Sequence, residues 1–241
     1  MTYPDFSLEK RLWGRGFQLV IGVDEVGRGS FAGPVVAGAA SLRIQNSLVS
    51  NQKLIEEIEK IGINDSKKLS AKKREKVAEE IKKYFFWAVG ESSSHQINTF
   101  GIVKATNIAV RKAVIKLLYQ ASVEQAGVKD QKLITKEAIE NLKPYLLLDA
   151  FHVRYIPVVG LKYQQVIIGG DVKVTSIAAA SVVAKVYRDD LMVNLAKLYP
   201  QWGFEKNSGY GTAGHREALA RYGISAIHRT QFVKKWVVNK E

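Results

Sequence analysis

Three unbroken apolar runs punctuate the chain, Leu19-Val20-Ile21, Leu146-Leu147-Leu148 and Val166-Ile167-Ile168, and each leads into a carboxylate within a few residues. Short apolar runs bounded by glycine or charge read as buried strands. They predict strands at 18–26, 145–149 and 163–168, with a loop carrying Pro157 between the last two. The run 35–43 predicts another strand, the antiparallel partner of the first across a glycine-rich turn at 27–34 closed by Pro34. Phe85-Phe86-Trp87-Ala88-Val89-Gly90 predicts a further one.

Between the strands the spacing changes to that of helices. A helix is expected over 47–60, and Ser70 is a suitable N-cap for another at 71–84. Val103, Val110, Val114, Leu117 and Ala121 recur at helical spacing, so a long helix over 103–125 should turn that face to the core. A second long helix is expected over 174–199; its start, Thr175-Ser176-Ile177-Ala178-Ala179-Ala180-Ser181, has small residues that permit close packing. Residues 126–144 read as a polar, partly helical insertion, 203–211 as loop, and 213–222 as a short helix. The mixture predicts an α/β fold, with a main domain at 1–190 and a C-terminal helical cap at 191–241.

The acids that close the apolar runs carry the first chemical hint. Asp24 and Glu25 follow the first run, Asp149 ends the second, and Asp171 follows the third after Gly169-Gly170. Carboxylates at strand ends meet at one sheet edge, where their repulsion is commonly compensated by divalent cations. Neighbours on a regular strand face opposite ways, so Asp24 and Glu25 share a site only if the strand ends or bulges there. A local Glu25–Arg28 ion pair is the plain alternative.

Composition narrows the chemistry. A formal net charge of +13 on 241 residues favours a polyanionic partner. The absence of cysteine excludes disulfides, thiolate metal sites and a cysteine nucleophile. No apolar stretch approaches the roughly 18 residues of a membrane span, and the first residues lack a signal-peptide core, so a cytoplasmic location is the expectation.

Several motifs could meet a nucleic acid. Gly27-Arg28-Gly29 offers exposed backbone N–H groups and a guanidinium. Asp65-Ser66-Lys67-Lys68-Leu69 offers a hydroxyl and cations before a helix start, though by itself an ordinary capped, basic helix start explains it better. Tyr210, between Gly209 and Gly211 and before Thr212, could stack on a sugar or base. Lys185, His215, His228 and Arg229 are candidate phosphate contacts, whereas His95 and His152 are not expected to be ligands. Asp189 and Asp190 should make local ion pairs beside Arg188.

Taken in order, these motifs resemble bacterial ribonuclease HII. The resemblance runs through Asp24-Glu25-Val26-Gly27-Arg28-Gly29 with Ala32-Gly33-Pro34, then Asp65-Ser66-Lys67-Lys68-Leu69, Leu147-Leu148-Asp149 and Gly170-Asp171. It continues through 176–189, Gly209-Tyr210-Gly211-Thr212 with His215, and His228-Arg229-Thr230-Gln231-Phe232. It implies an RNase H-like fold and an acidic site of Asp24, Glu25, Asp149 and Asp171 that holds Mg²⁺ or Mn²⁺ for two-metal hydrolysis. It also implies that the turn 27–29 reads a ribose 2′-hydroxyl and that Tyr210 stacks on the next sugar. Ser66, Lys67, Lys185, Thr212 and Arg229 complete the implied substrate contacts. The substrates implied are RNA/DNA hybrids and duplex DNA carrying single ribonucleotides, with 3′-hydroxyl and 5′-phosphate products.

The chain departs from the family pattern at Ala150, where glycine is usual, at Ser30-Phe31, where Pro-Leu is common, and in the insertion 126–144. Only 23 residues precede Asp24, so type HII is expected rather than the longer type HIII. A monomer is expected; the tail Gln231-Phe232-Val233-Lys234-Lys235-Trp236 is a weak cue for a sliding-clamp partner. The rival readings are a nuclease of the same fold acting on branched DNA, and a non-catalytic nucleic-acid-binding module.

Overall fold

The structure, a computed structural model, describes residues 3–43, 48–127 and 135–237. In chain order the elements are α1 (Ser7–Gly14), β1 (Leu19–Val26), β2 (Val35–Leu42), α2 (Leu48–Ile61), α3 (Ala71–Tyr84) and β3 (Phe85–Ser92). Then come α4 (Ser94–Phe100), α5 (Ile102–Ala126), α6 (Lys136–Asn141), β4 (Pro144–Asp149), β5 (Gln164–Ile167) and α7 (Thr175–Leu198). The C-terminal part holds α8 (Phe204–Asn207), α9 (Ala213–Tyr222) and α10 (Thr230–Val233). The expected strands and long helices are all present. Residue 47 of the helix expected over 47–60 and residues 128–134 of the expected insertion lie outside the described residues.

The strands form one mixed sheet in the order β3-β2-β1-β4-β5. The first three pair antiparallel, while β1–β4 and β4–β5 are parallel. Helix α5 covers one face, burying Ala105, Ala109, Val110, Ala113, Val114, Leu117 and Ala121. Val103, expected on that face, is 59% exposed, because it sits in the first turn before the helix reaches the sheet.

Helix α7 lies on the other face at very short range. A Cβ on Gly22 of β1 would stand 2.1 Å from the Ser176 carbonyl carbon, and one on Gly38 of β2 would stand 2.2 Å from the Ala180 oxygen. Both strands therefore need glycine under α7, and α7 needs small residues above them. The consequence is functional: this contact sets Ser181, one residue beyond Ala180, over the end of β1. α7 also runs through residue 190 without a break, so the expected domain division falls inside a continuous helix.

Candidate active site

The sheet register brings the acids together. Val23 pairs with Leu148 across the parallel β1–β4 ladder, so Asp24 and Asp149 come next on neighbouring strands. Such strands run about 4.8 Å apart. Asp149 is oriented by the Gly170 N–H, which donates to its Oδ1 at 3.1 Å. Asp171 is not a strand-end residue. It lies in a 3₁₀ turn, Gly170–Val172, beyond the end of β5. Strand β1 keeps its regular ladder to Val26, with no bulge at Glu25. Glu25 therefore starts from the face opposite Asp24, one residue before the strand ends; its Oε1 accepts from Arg28 Nη1 at 3.4 Å, and it stays near enough to Asp149 to feel that charge.

Burial makes these charges costly. Asp24 is pushed up to about 7, first by burial and then by the charges of Glu25 and Asp149, against the bond it receives from Ser181. Glu25 is also raised, chiefly by burial, with Arg28 opposing. Burial raises Asp171 too, helped by the charge of Asp65 and opposed by Lys67. The Lys67 ammonium stands 3.4 Å from Asp171 Oδ2 and 4.0 Å from Asp65 Oδ1. Burial disfavours its charge, but Asp171, Asp65 and Asp24 outweigh that and raise it.

Among the described residues no group of three or more His, Cys, Asp or Glu side chains is arranged to hold a metal ion as it stands. Two of the four acids are instead engaged by the protein's own cations, Glu25 by Arg28 and Asp171 by Lys67. The donor chemistry nonetheless fits a divalent ion. Carboxylate oxygens are the ligands of Mg²⁺ and Mn²⁺, and buried acids that raise one another's pKa are relieved by a cation. Ligation would require Glu25 and Asp171 to leave these partners.

Beside the acids, two arginines organise the loops. Arg188 is fully buried. Its guanidinium donates to the carbonyls of Pro34 (3.1 Å), Ala32 (3.3 Å) and Ser208 (2.9 Å) and to the Ser30 hydroxyl (2.9 Å). It also lies 5.4 Å from the Tyr210 ring centroid. Gly27, at φ 81°, leaves the space this requires, since a Cβ there would stand 2.1 Å from Arg188 Nε. Arg188 thus ties the turn 27–34 to the Tyr210 loop. The pairing is completed by Gly209, whose carbonyl accepts from the N–H groups of Phe31 and Ala32 at 2.7 and 3.2 Å. Ser30 supplies a ligand for Arg188, and Phe31 lies against the Gly211 backbone, so both departures from the family pattern are used structurally.

Arg229 is a correction to the sequence expectation. Rather than facing a phosphate it is fully buried, donating Nε to the Gly33 carbonyl (3.0 Å) and Nη1 to the Arg28 carbonyl (2.9 Å). It holds the Gly-Arg-Gly turn from beneath. Ser66 is likewise buried, its hydroxyl 2.9 Å from that of Ser181. Thr212 caps α9 by accepting from the His215 N–H at 3.3 Å. Lys185 Nζ is engaged with Asp189 at 2.6 Å.

Nor do His215 and His228 face solvent. His215 Nδ1 lies 2.9 Å from the Tyr210 carbonyl, so it carries the proton there. His228 Nδ1 accepts from the Ser225 N–H at 2.8 Å, so its proton sits on Nε2, 3.0 Å from His215 Nε2. Two neutral imidazoles satisfy this chain, and burial lowers both, His228 to about 4. Asp189 makes the expected local ion pair, with Lys185 one turn earlier in α7 (2.6 Å), and a second, long-range one with Arg74 (3.2 Å). The residues not anticipated are Arg188, Ser181, Asp65 and Phe151, whose ring lies 5.3 Å from the Arg28 guanidinium. Arg188, Ser181 and Phe151 have no local signal for these roles, because each acts through a partner far away in sequence; Asp65 lies in a motif that the sequence singles out for its hydroxyl and cations.

The family model for ribonuclease HII matches residues 21–235, which include all of these features. The chain belongs to the ribonuclease HII family. It is 39% identical to ribonuclease HII of Desulfitobacterium hafniense (strain DSM 10664 / DCB-2), covering 93% of this chain and 72% of that one. It is 38% identical to ribonuclease HII of Paracoccus denitrificans (strain Pd 1222), covering 96% and 93%. The fold is shared with RNase HII in its solved complex with PCNA from Archaeoglobus fulgidus (TM-score 0.59, 24% identity, 91% of this chain and 95% of that one). It is also shared with Bst-RNase HIII solved with Mn²⁺ (TM-score 0.66, 20% identity, 91% and 69%). The protein is a ribonuclease H of the HII type, an endonuclease and phosphodiester hydrolase. Among the described residues no helix is long and apolar enough to cross a membrane.

Proposed function

We propose that the protein hydrolyses the RNA strand of RNA/DNA hybrids and incises duplex DNA on the 5′ side of single ribonucleotides. The observation that carries this reading is the junction of two constellations. The acids at the ends of β1 and β4 adjoin a Gly-Arg-Gly turn that Arg188 and Arg229 lock to the Tyr210 loop.

Asp24, Glu25, Asp149 and Asp171 would hold Mg²⁺ or Mn²⁺, with Asp24 central. Divalent ions at such a site supply charge stabilisation for the departing 3′-oxygen and acidify an attacking water. The chain's own residues do the rest. Gly29 has no neighbouring atom within 4 Å of a Cβ position, which leaves room for a sugar to approach the backbone. Arg28, released from Glu25, would turn to a phosphate. Tyr210, held against Arg188 and by His215, would offer its ring to the following sugar. Lys67 is 76% exposed along its side chain and would exchange Asp171 for a phosphate oxygen. Ser66 would act through Ser181, and Thr212, Lys185 and Arg229 would position the loops around the substrate. The helices beyond residue 190 would form the substrate-binding extension.

Phe232, part of the tail considered for a clamp, is half-buried with its ring 5.5 Å from the Arg229 guanidinium. That contact favours a structural task for it.

The test is a substrate panel: duplex DNA with one ribonucleotide, a continuous RNA/DNA hybrid, and branched all-DNA junctions. Incision of the first two with 3′-hydroxyl ends is expected. Cleavage of the junctions alone would replace this reading with the branched-DNA one.

A further inference from the structure

The loop joining β4 to β5 begins at Asp149 and is firmly anchored. Val153, Ile156 and Val159 are buried along it. The Gln164 side chain accepts from the Val153 N–H (3.0 Å) and donates to the Val153 carbonyl (2.8 Å) and the Val159 carbonyl (3.5 Å). Ile156 and Val159 pair in a short antiparallel bridge. From α5, Arg111 Nε donates to the Arg154 carbonyl at 3.1 Å.

This anchored loop nevertheless holds an aromatic ring out in solvent. Tyr155 is 83% exposed. Its backbone is left-handed at φ 61°, as is that of Val158 at φ 68°. Such a conformation costs a non-glycine residue about 1–2 kcal/mol. Exposure and strain together are poor choices for stability and suitable ones for presenting a ring. The Arg111 guanidinium lies 6.0 Å from the ring centroid. Arg154 is exposed beside it, and neither arginine has an acidic partner among the described residues. Closer to the acids, the Arg28–Phe151 contact repeats the pairing of a guanidinium with a ring.

We propose that Tyr155, Arg154 and Arg111 form a second nucleic-acid contact, outside the catalytic site, for a strand leaving the acids. The ring would stack on a base or sugar, and the guanidinium groups would meet the adjacent phosphates. The formal charge of +13, the Arg111 guanidinium against an exposed ring and the exposed Arg154 next to it in the chain favour a polyanion with stackable faces over a protein or an apolar partner. Tyr155 is the sixth residue after Asp149, so its backbone lies within about 20 Å of that acid. The contact therefore falls on a duplex arm within about six base pairs of the cut. This inference rests on the duplex-cleaving function proposed above.

The experiment compares wild type, Y155F and Y155G in the fluorescence anisotropy of a labelled duplex bearing one ribonucleotide, in chelator. It is repeated with either arm trimmed to about three base pairs. Glycine accepts the left-handed backbone, so Y155G should fold and melt no lower than wild type. We expect Y155G to bind the full duplex about tenfold more weakly, Y155F to bind like wild type, and the penalty to vanish when one particular arm is trimmed. In cleavage, KM should rise with kcat unchanged. Equal binding by all three proteins, or a penalty that survives trimming of each arm, would overturn the inference. If wild type binds but cuts no substrate, the proposed function fails while the binding comparison still decides this surface.

Discussion

Replacing Ala150 with glycine should stabilise the protein without changing its activity. Ala150 directly follows Asp149 and adopts φ 70°. A left-handed alanine costs about 1–2 kcal/mol that glycine avoids. Glycine gives back about 0.4–1 kcal/mol through the greater freedom of its unfolded chain. The methyl is exposed, so its removal opens no cavity. The net expectation is a gain of about 0.5–1 kcal/mol, or roughly 2 °C in Tm for a chain of this size. Asp149 should keep its place, since its carboxylate is held by the Gly170 N–H and its carbonyl accepts from the Phe151 N–H at 3.0 Å. Differential scanning calorimetry of the two proteins, with kcat/KM measured alongside, is the assay. A lower Tm in A150G would refute the reasoning, because the alanine would then be contributing something other than strain.

Glu9 is 1% exposed and pushed up to about 7 by burial, with Oε1 accepting from the Ser176 N–H at 2.9 Å. The folded state therefore holds this proton more tightly than the unfolded one, and stability is lost as pH rises from about 4.5 to 7, by at most about 3 kcal/mol. Asp24 acts in the same direction. Urea unfolding at intervals from pH 5 to 8 in chelator should show a smaller loss in E9Q, and an unchanged profile would count against the buried charge. Gly29→Ala meets no atom within 4 Å, so Tm should hold while kcat/KM falls by at least about tenfold; normal kinetics would remove the close sugar approach. Duplex affinity should fall steeply with salt, log against log, given the net charge of +13. A flat response, read by anisotropy, would mean that phosphate contacts do not dominate.

What could be read from the sequence was local. β1 and β4 declare themselves as apolar runs, and their terminal acids, Asp24 and Asp149, were legible as neighbours because parallel strands end at one edge. α4 was missed because seven residues carry too little periodicity, although its capping box, Ser93 with Gln96, is written in the sequence. Asp171 was placed at a strand end, but Gly169 in the left-handed region turns the chain first. Arg229 was read as a phosphate contact, and Arg188 only as a neighbour of Asp189 and Asp190, since most arginines are exposed. Backbone carbonyls from distant segments, with the Ser30 hydroxyl, make their burial tolerable, and no local pattern encodes that. The same holds for Ser66 and Ser181, whose hydroxyls meet across 115 residues.

The most direct test of the account is end-mapped cleavage of a DNA duplex containing one ribonucleotide, by wild type and D24N, with Mg²⁺, with Mn²⁺ and with chelator. The account predicts a metal-dependent cut on the 5′ side of the ribonucleotide, leaving 3′-hydroxyl and 5′-phosphate ends. It also predicts that D24N folds and binds the duplex but does not cut. Cleavage that persists in chelator, or in a folded D24N, would contradict the central role given to the four acids.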